Sequence, residues 1–571
     1  MAEKVRWRPA PMTGWFDPGV MARSAAMLLT ANIFGRHSDT RLIEALGSQP
    51  QDVFDYRDRQ GEFWLDYVAD LGDGWNATYA VASAMAEESL LDTRAGDVLV
   101  MGGDEVYPYP SRNAYARRTE TPYREAFAGR ARKPDVFAIP GNHDWFDSLV
   151  AFSRAFCRPE RGFAGCRTRQ TRSYFALALP RDWWLLGVDL QLGADFDEPQ
   201  LRYFHEVAAR MGEQANIVLC VPEPQWVYEV TYPKYEAYTT RTLDYFCGDV
   251  LRRPVSVMLT GDLHFYRRYS DGEGRHRIIA GGGGAFLHPT HQPRTPKLQE
   301  GFTEQGCYPQ KATSSRLAWG NLLFPFVNPK ACLLPGLVYA LSAWLASARL
   351  NLADVETLGQ AFASSLRVAV RDPLCGLWLL SVIAGLVFFT DTHSRAYRIL
   401  GGAAHALSHL FSALVLAWLA MRLTTGPLGM SYGDPLQLLL SGALVFLAGG
   451  LVGGLVIGVY LLVSINVFGR HGNEAFSSLR GQDCKHWLRL NIDEAGILTI
   501  RALGIDVVPR RWKEDAAGRP RADDPRASGV REIDRVSVRP RSWPRPAAPA
   551  SHASPGLPAS PNTGPGPRPS C

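Results

Sequence analysis

The chain has no CxxC pair. Its nine cysteines stand singly at 157, 166, 220, 247, 307, 332, 375, 484 and 571, an odd and scattered set that argues against a disulfide framework and for reduced thiols in the cytoplasm. A basic footprint is also missing. The net charge of +5 comes from the C-terminal stretch, where twelve Lys/Arg face six Asp/Glu between Arg510 and Cys571, leaving residues 1–509 at about −1. No nucleic acid is expected as a partner. The first apolar stretch, 27–33, is short and follows Asp17 and Arg23 rather than a basic leader, so no secretory signal is read and what precedes the first membrane span is expected to stay inside. Finally, 571 residues are too many for a lone binding module and imply three or four structural units.

What is present divides the chain in two. Residues 60–295 alternate short apolar runs with mixed helical stretches, for instance 97–101, 135–139, 183–188, 217–221 and 255–259. Runs of this length followed by Gly, Asp, Asn or Pro suit buried strands of an α/β sheet with functional residues at the strand ends. Residues 1–59 read as an N-terminal extension and 296–330 as a linker. Four long uncharged runs follow within 331–468: 18 residues between Lys330 and Arg349, then 374–390, 399–421 and 436–468. Such runs match a hydrocarbon core of about 30 Å, so about four membrane spans are expected. The last is long enough to protrude or to break. Gly449, Gly450, Gly453, Gly454 and Gly458 fall in overlapping GxxxG frames that let helices approach closely. Leu352, Val355, Leu358, Phe362 and Leu366 have the spacing of an amphipathic helix lying at the membrane surface. Residues 469–513 read as a small β unit, and 514–571, with twelve prolines from Asp515 onward, as a disordered tail.

Five short motifs end apolar runs in order: Asp70-Leu71-Gly72, Gly103-Asp104-Glu105-Val106-Tyr107, Gly141-Asn142-His143-Asp144, Cys220-Val221-Pro222-Glu223 and Gly261-Asp262-Leu263-His264. Hard, oxygen-rich donors from several loops, one of them a carboxylate able to bridge, are what two neighbouring divalent ions require. This order resembles the calcineurin-like metallophosphoesterase superfamily. Gly72 with Tyr107 is most similar to its purple acid phosphatase variant, and the phrases around 140–145 and 281–291 resemble a bacterial, membrane-anchored subgroup. The resemblance covers residues 60–295.

It implies an α/β sandwich of two mixed sheets flanked by helices, followed by an α-helical transmembrane domain. It also implies a metal-dependent phosphoric ester hydrolase using a hydroxide bridging two divalent or mixed-valence ions (Mn, Fe, Zn or Mg). Asp70, Asp104, His264 and Tyr107 would hold the first ion, and Asp104 and Asn142 the second. His143 would serve the leaving group, with Asp144 orienting its imidazole. Two positions depart from the family. Cys220, or Glu223 with a slipped register, stands where a histidine belongs, and Asp262 replaces the first histidine of the last motif. His288 and His291 follow a run of four glycines and would line the pocket or sit in solvent. His405 and His409 would bond helix to helix or share a ligand.

The expected substrate is a phosphomonoester, phosphodiester or pyrophosphate, a lipid-linked one included. The rival is a catalytically impaired membrane sensor or scaffold that binds a phosphorylated ligand. Transport finds no support, because the spans hold almost no ionisable residues beyond histidine. Eight basic residues near the span ends lie on one side and four on the other, which places the catalytic domain and both termini on the cytoplasmic face of the inner membrane. The oligomeric state is not legible.

Overall fold

A computed structural model of the chain describes residues 9–30, 51–190, 195–234, 239–390 and 393–541. The five apolar runs form strands at Val98–Met101, Asp135–Ala138, Trp183–Gly187, Asn216–Cys220 and Val255–Thr260. They are largely buried on both faces, which is why they read as continuous rather than alternating. An eight-stranded sheet runs, in spatial order, Phe54–Asp55, Phe175–Leu179, Trp183–Gly187, Asn216–Cys220, Val255–Thr260, His276–Ala280, Tyr266–Ser270 and Thr303–Tyr308. A seven-stranded sheet runs Val530–Val538, Leu498–Ile505, Lys485–Ile492, Phe63–Val68, Val98–Met101, Asp135–Ala138 and Arg167–Thr168. Both have parallel pairs at the centre and antiparallel pairs toward an edge.

Period-two geometry sorts each strand's side chains between two layers. Phe63, Leu65, Tyr67 and Val100 of one sheet meet Leu185, Val218, Val257 and Ile278 of the other in one buried cluster. The intervening residues face outward, Val68, Leu99 and Met101 against Trp75–Ala86 and Val150–Phe156, and Leu186 and Leu219 against Glu198–Ala209. The result is the expected sandwich of mixed sheets flanked by helices.

Composition misplaced four boundaries. Segment 469–513 is not a separate β unit, because Lys485–Ile492 pairs with Phe63–Val68 from Leu488↔Tyr67 to Ile492↔Phe63 and completes the second sheet. A buried ion pair ties the two strands, Arg489 donating from Nε to Asp66 Oδ1 at 2.7 Å and from Nη2 to Oδ2 at 3.2 Å. Within the segment read as a disordered tail, Val530–Val538 pairs with Leu498–Ile505; residues 542–571 lie outside those described. Thr303–Tyr308, in the segment read as a linker, is an edge strand. Phe54–Asp55, in the N-terminal extension, pairs with Phe175–Leu179.

The helical region comprises Leu333–Ser347, Leu358–Arg371, Pro373–Phe389, Arg395–Thr425 and Pro435–Asn466. Two of these, Arg395–Thr425 and Pro435–Asn466, are long and apolar enough to cross a membrane. The other two expected spans fall short by themselves, although Pro373–Phe389 together with Leu358–Arg371 before it is long and apolar enough for a third, bent one. Leu333–Ser347 has 15 residues and Pro373–Phe389 has 17, about 22 and 26 Å at 1.5 Å per residue. Asp372 starts the latter by accepting from the N–H groups of Leu374 and Cys375, and it meets Leu358–Arg371 at a bend of 103°. That amphipathic helix begins at the Thr357–Gln360 capping box, later than its apolar spacing suggested, and Leu352 is buried before it.

Pro435–Asn466 is one unbroken helix of 32 residues. Leu461, Leu462 and Ile465 are buried in a cluster continuous with the inter-sheet core, and this end of the helix packs on residues 318–323, Phe324–Val327 and Gly472–Ser477. Its glycines seat the neighbouring helix, since a Cβ on Gly449 would meet Tyr339 and one on Gly453 would meet Pro335. His405 and His409 approach Nε2 to Nε2 at 3.0 Å within their own helix, and His409 Nδ1 bonds the Tyr339 hydroxyl at 2.9 Å on the neighbouring one.

Candidate metal centre

Asp70, Asp104 and Asp262 each lie just beyond a buried strand, after Phe63–Val68, Val98–Met101 and Val255–Thr260. Each has a left-handed backbone, with φ of 61°, 55° and 65°. Such a conformation costs a non-glycine residue on the order of 1 kcal/mol, and three on one rim mark a geometry imposed to bring carboxylates together. The loops are bonded to one another: Asp70 N–H donates to Gly103 O at 2.9 Å, Leu71 N–H to Asp104 O at 2.8 Å and Asp262 N–H to Asp70 Oδ2 at 2.9 Å. Gly141 must lack a side chain, because a Cβ there would overlap the Asp104 carboxylate.

Four donor atoms converge inside this rim. The Tyr107 hydroxyl oxygen is 2.8 Å from Asp70 Oδ1, 2.9 Å from Asp104 Oδ2 and 2.9 Å from His264 Nε2, and that nitrogen is 3.3 Å from Asp70 Oδ1. Ligands at right angles, each about 2.0–2.2 Å from an ion, are separated by roughly 2.8–3.1 Å, so the spacing and the donor chemistry fit a cation. His264 Nδ1 lies 2.6 Å from Phe286 O. That contact places the ring proton on Nδ1 and leaves Nε2 a bare donor toward the cluster, as in metal-bound histidines. Among the described residues, no three His, Cys, Asp or Glu side chains form a metal site by themselves; the fourth partner here is a phenol.

A cavity of about 820 Å³ opens beside this cluster, with Asn142, Glu223, Tyr228, Asp262 and His288 on its wall. Asn142 Oδ1 is buried with no hydrogen-bond partner, an acceptor that a cation would satisfy. Asn142, Glu223 and Asp262 offer only oxygen, which suits a hard ion such as Mg²⁺ or Mn²⁺. Burial pushes Asp70 and Asp262 up to about 7, and burial with mutual repulsion pushes Asp104 and Glu105 well above the carboxylate range. Positive charge in this pocket would stabilise all four.

His143 N–H donates to Asp104 Oδ1 at 2.8 Å, and its Nδ1 bonds Pro108 O at 2.8 Å. Burial pushes its imidazole down to about 4, so the ring is neutral, with its proton on Nδ1 and Nε2 unprotonated. Asp144 does not orient that ring. It accepts from Gly141 N–H at 2.8 Å, Glu105 N–H at 3.3 Å and the Tyr115 hydroxyl, pinning one loop to the next, while the Pro108 carbonyl holds the imidazole.

Cys220 is a core residue rather than a donor to the cluster. Alternation along Asn216–Cys220 puts it on the same face as Val218, in the inter-sheet cluster, fully buried, and burial pushes its thiol above the usual range. Glu223 is the residue of that motif at the cavity. His288 stacks on His264 at 3.9 Å and 7° and accepts its backbone N–H at 3.2 Å, whereas His291 bonds Ser314 Oγ at 2.8 Å.

Three neighbours have no motif to announce them. Trp15 packs edge-on at 5.7 Å from His143 and 6.1 Å from Tyr107. Tyr228 donates to Asp262 Oδ2. Lys485, fully buried and pushed down to about 8 by burial, acts on Asp70 across the sheet.

No family model and no curated protein matches the chain. Solved structures sharing part of its fold include GAP50, the anchor in the inner membrane complex of Plasmodium, at 11 % identity over 43 % of this chain and 78 % of that one, TM-score 0.33. A second is purple acid phosphatase PPD1 from yellow lupin (Lupinus luteus) seeds, at 13 % over 44 % and 48 %, TM-score 0.31. A third is phosphopantetheinyl hydrolase PptH from Mycobacterium tuberculosis, at 15 % over 44 % and 98 %, TM-score 0.24. Likenesses of this extent carry nothing about the chemistry of this chain.

Proposed function

We propose that the chain is a membrane-anchored, metal-dependent phosphoesterase of the calcineurin-like type, acting on a phosphomonoester, phosphodiester or pyrophosphate. The observation that supports it is the convergence of Asp70, Asp104, His264 and the Tyr107 oxygen, with His143 bonded to the same Asp104. Asp70, Asp104, Tyr107 and His264 would hold one ion, and Asp104, Asn142, Glu223 and Asp262 a second. Divalent ions there supply neutralisation of the phosphoryl charge and acidification of a water. His143, held at Nδ1 by Pro108 and at its backbone by Asp104, offers Nε2 to the leaving group. A phosphate dianion beside it favours the imidazolium, which can then deliver its proton. Arg395, Arg398 and Arg470 at one end of the two long apolar helices, against Arg422 at the other, support an inner-membrane protein with this domain in the cytoplasm.

The rival, a non-catalytic binder of a phosphorylated ligand, is favoured by one feature: no imidazole replaces the two absent from the second half of the site. Purified full-length protein, stripped and reloaded with Mg²⁺, Mn²⁺, Zn²⁺ or Fe, decides between them on p-nitrophenyl phosphate and its bis-ester. Asp104→Asn is expected to lose bound metal and turnover together. His143→Ala is expected to keep its metal and lose about 10²–10⁴ in rate. Full metal content without turnover in the wild type would leave the binder as the function.

A further inference from the structure

The cavity that carries Asn142, Glu223 and Asp262 on one wall takes another wall from the helical region. Ile465 belongs to the last turn of Pro435–Asn466, and Phe468, Arg470 and His471 follow on the turn that re-enters the α/β domain. His393, between Pro373–Phe389 and Arg395–Thr425, reaches the same cavity and stacks on Tyr232 at 4.2 Å and 29°. A helix that served only as a tether would have no reason to line the pocket.

This wall is mixed in character. Arg470 from this wall and Arg294 from the loop after His276–Ala280 bring positive charge to a cavity whose other side is acidic, while Ile465 and Phe468 are apolar and Phe468 is 57 % exposed. Other large aromatics are bare at the same end of the bundle. Phe389, 80 % exposed, closes Pro373–Phe389, and Phe326, 72 % exposed, lies on Phe324–Val327, which leads into Leu333–Ser347. Exposed apolar side chains run along these helices to the end that lines the cavity, a surface suited to lipid that reaches the mouth of the pocket.

Resting on the phosphoesterase reading above, we propose that the substrate is an amphiphile. Its phosphoester head sits between the acidic loops and the two arginines, and its hydrocarbon part leaves past Ile465 and Phe468 toward the bilayer. A small hydrophilic ester would leave that apolar wall against water.

The test uses full-length protein in lipid nanodiscs with butyl, octyl and dodecyl phosphate, each below its micelle concentration, and p-nitrophenyl phosphate. The ratio kcat/KM is expected to rise at least tenfold from butyl to dodecyl phosphate, mainly through KM. Phe468→Asp should flatten that rise and Phe468→Leu should retain it. A flat series in the wild type, or an unaltered rise in Phe468→Asp, overturns the amphiphile while the phosphoesterase reading stands. If metal-loaded protein turns over none of the esters, that reading fails. Binding of dodecylphosphonate against butylphosphonate, with empty nanodiscs subtracted, then decides alone: at least tenfold tighter binding of the long chain, lost in Phe468→Asp, upholds the inference, and equal affinities overturn it.

Discussion

Tyr107 brings one phenol oxygen within 2.9 Å of three acceptors, and its single proton serves only one of them. Under the proposed function the oxygen acts as a donor to a cation, the role that the resemblance implied for Tyr107. Direction decides the opposite outcome at Cys220, which follows Val218 into the core while Glu223 reaches the cavity. Cys220→Ala is therefore expected to keep full metal content and to cost about 1–2 kcal/mol of stability. Glu223→Gln and Asp262→Asn are expected to lose one ion with the fold intact, read by elemental analysis and a melt. Lys485 supplies a pH-dependent test. Its folded-state value of about 8 lies below the ~10.4 of an unfolded lysine. Its charge thus costs stability in full below pH 8, and the cost is relieved as pH rises from 8 toward 10.4. Metal-free Lys485→Met should be about 1–3 kcal/mol more stable than the wild type at pH 7, an advantage that shrinks by pH 10 in denaturant melts.

At the scale of elements, the closest fit in the helical region is between Pro435–Asn466 and Leu333–Ser347. A Cβ on Gly453 would stand 2.5 Å from Pro335 Cβ, and one on Gly449 2.9 Å from Tyr339 Cβ. Gly453→Leu should cost about 1–3 kcal/mol and lower the melting temperature in detergent, whereas Leu439→Ala, 70 % exposed on the same helix, should change it little. The GxxxG frames were legible as packing because close approach needs only missing side chains, a property of composition and spacing. Helix ends were not. Asp372 capping Pro373–Phe389 and the 103° bend before it stand just outside the uncharged run 374–390, whose length by itself says nothing of a turn at its start.

For the whole molecule, the second sheet is assembled from strands that flank the entire helical region. Chains ending at residue 330 or 468 lack Lys485–Ile492 and Leu498–Ile505, leaving Phe63–Val68 with an open edge and Asp66 buried without Arg489. Such fragments should fail to fold, because breaking a buried pair alone costs about 3–5 kcal/mol and an exposed edge promotes aggregation. A soluble 51–330 fragment with a cooperative melt would contradict this. The full chain carrying Arg489→Leu should still assemble, with a melt lowered by that order of energy.

The order of motifs and the burial of their strands were determined by local chemistry: period, turn residues and the oxygen donors a divalent ion requires. These sufficed for buried α/β strands with oxygen-rich loops at their ends and for apolar helices behind them, while the two-sheet sandwich and the set of Asp70, Asp104, Asn142, Asp262 and His264 came from the family resemblance those motifs carry. Only tertiary structure decided which loop carbonyl holds His143, that Cys220 faces the core, that strands beyond residue 484 complete the second sheet, and that Phe468 and Arg470 line the cavity. Those outcomes depend on contacts between residues as much as 423 positions apart, such as Asp66 and Arg489, and no local period encodes which distant strand will pair.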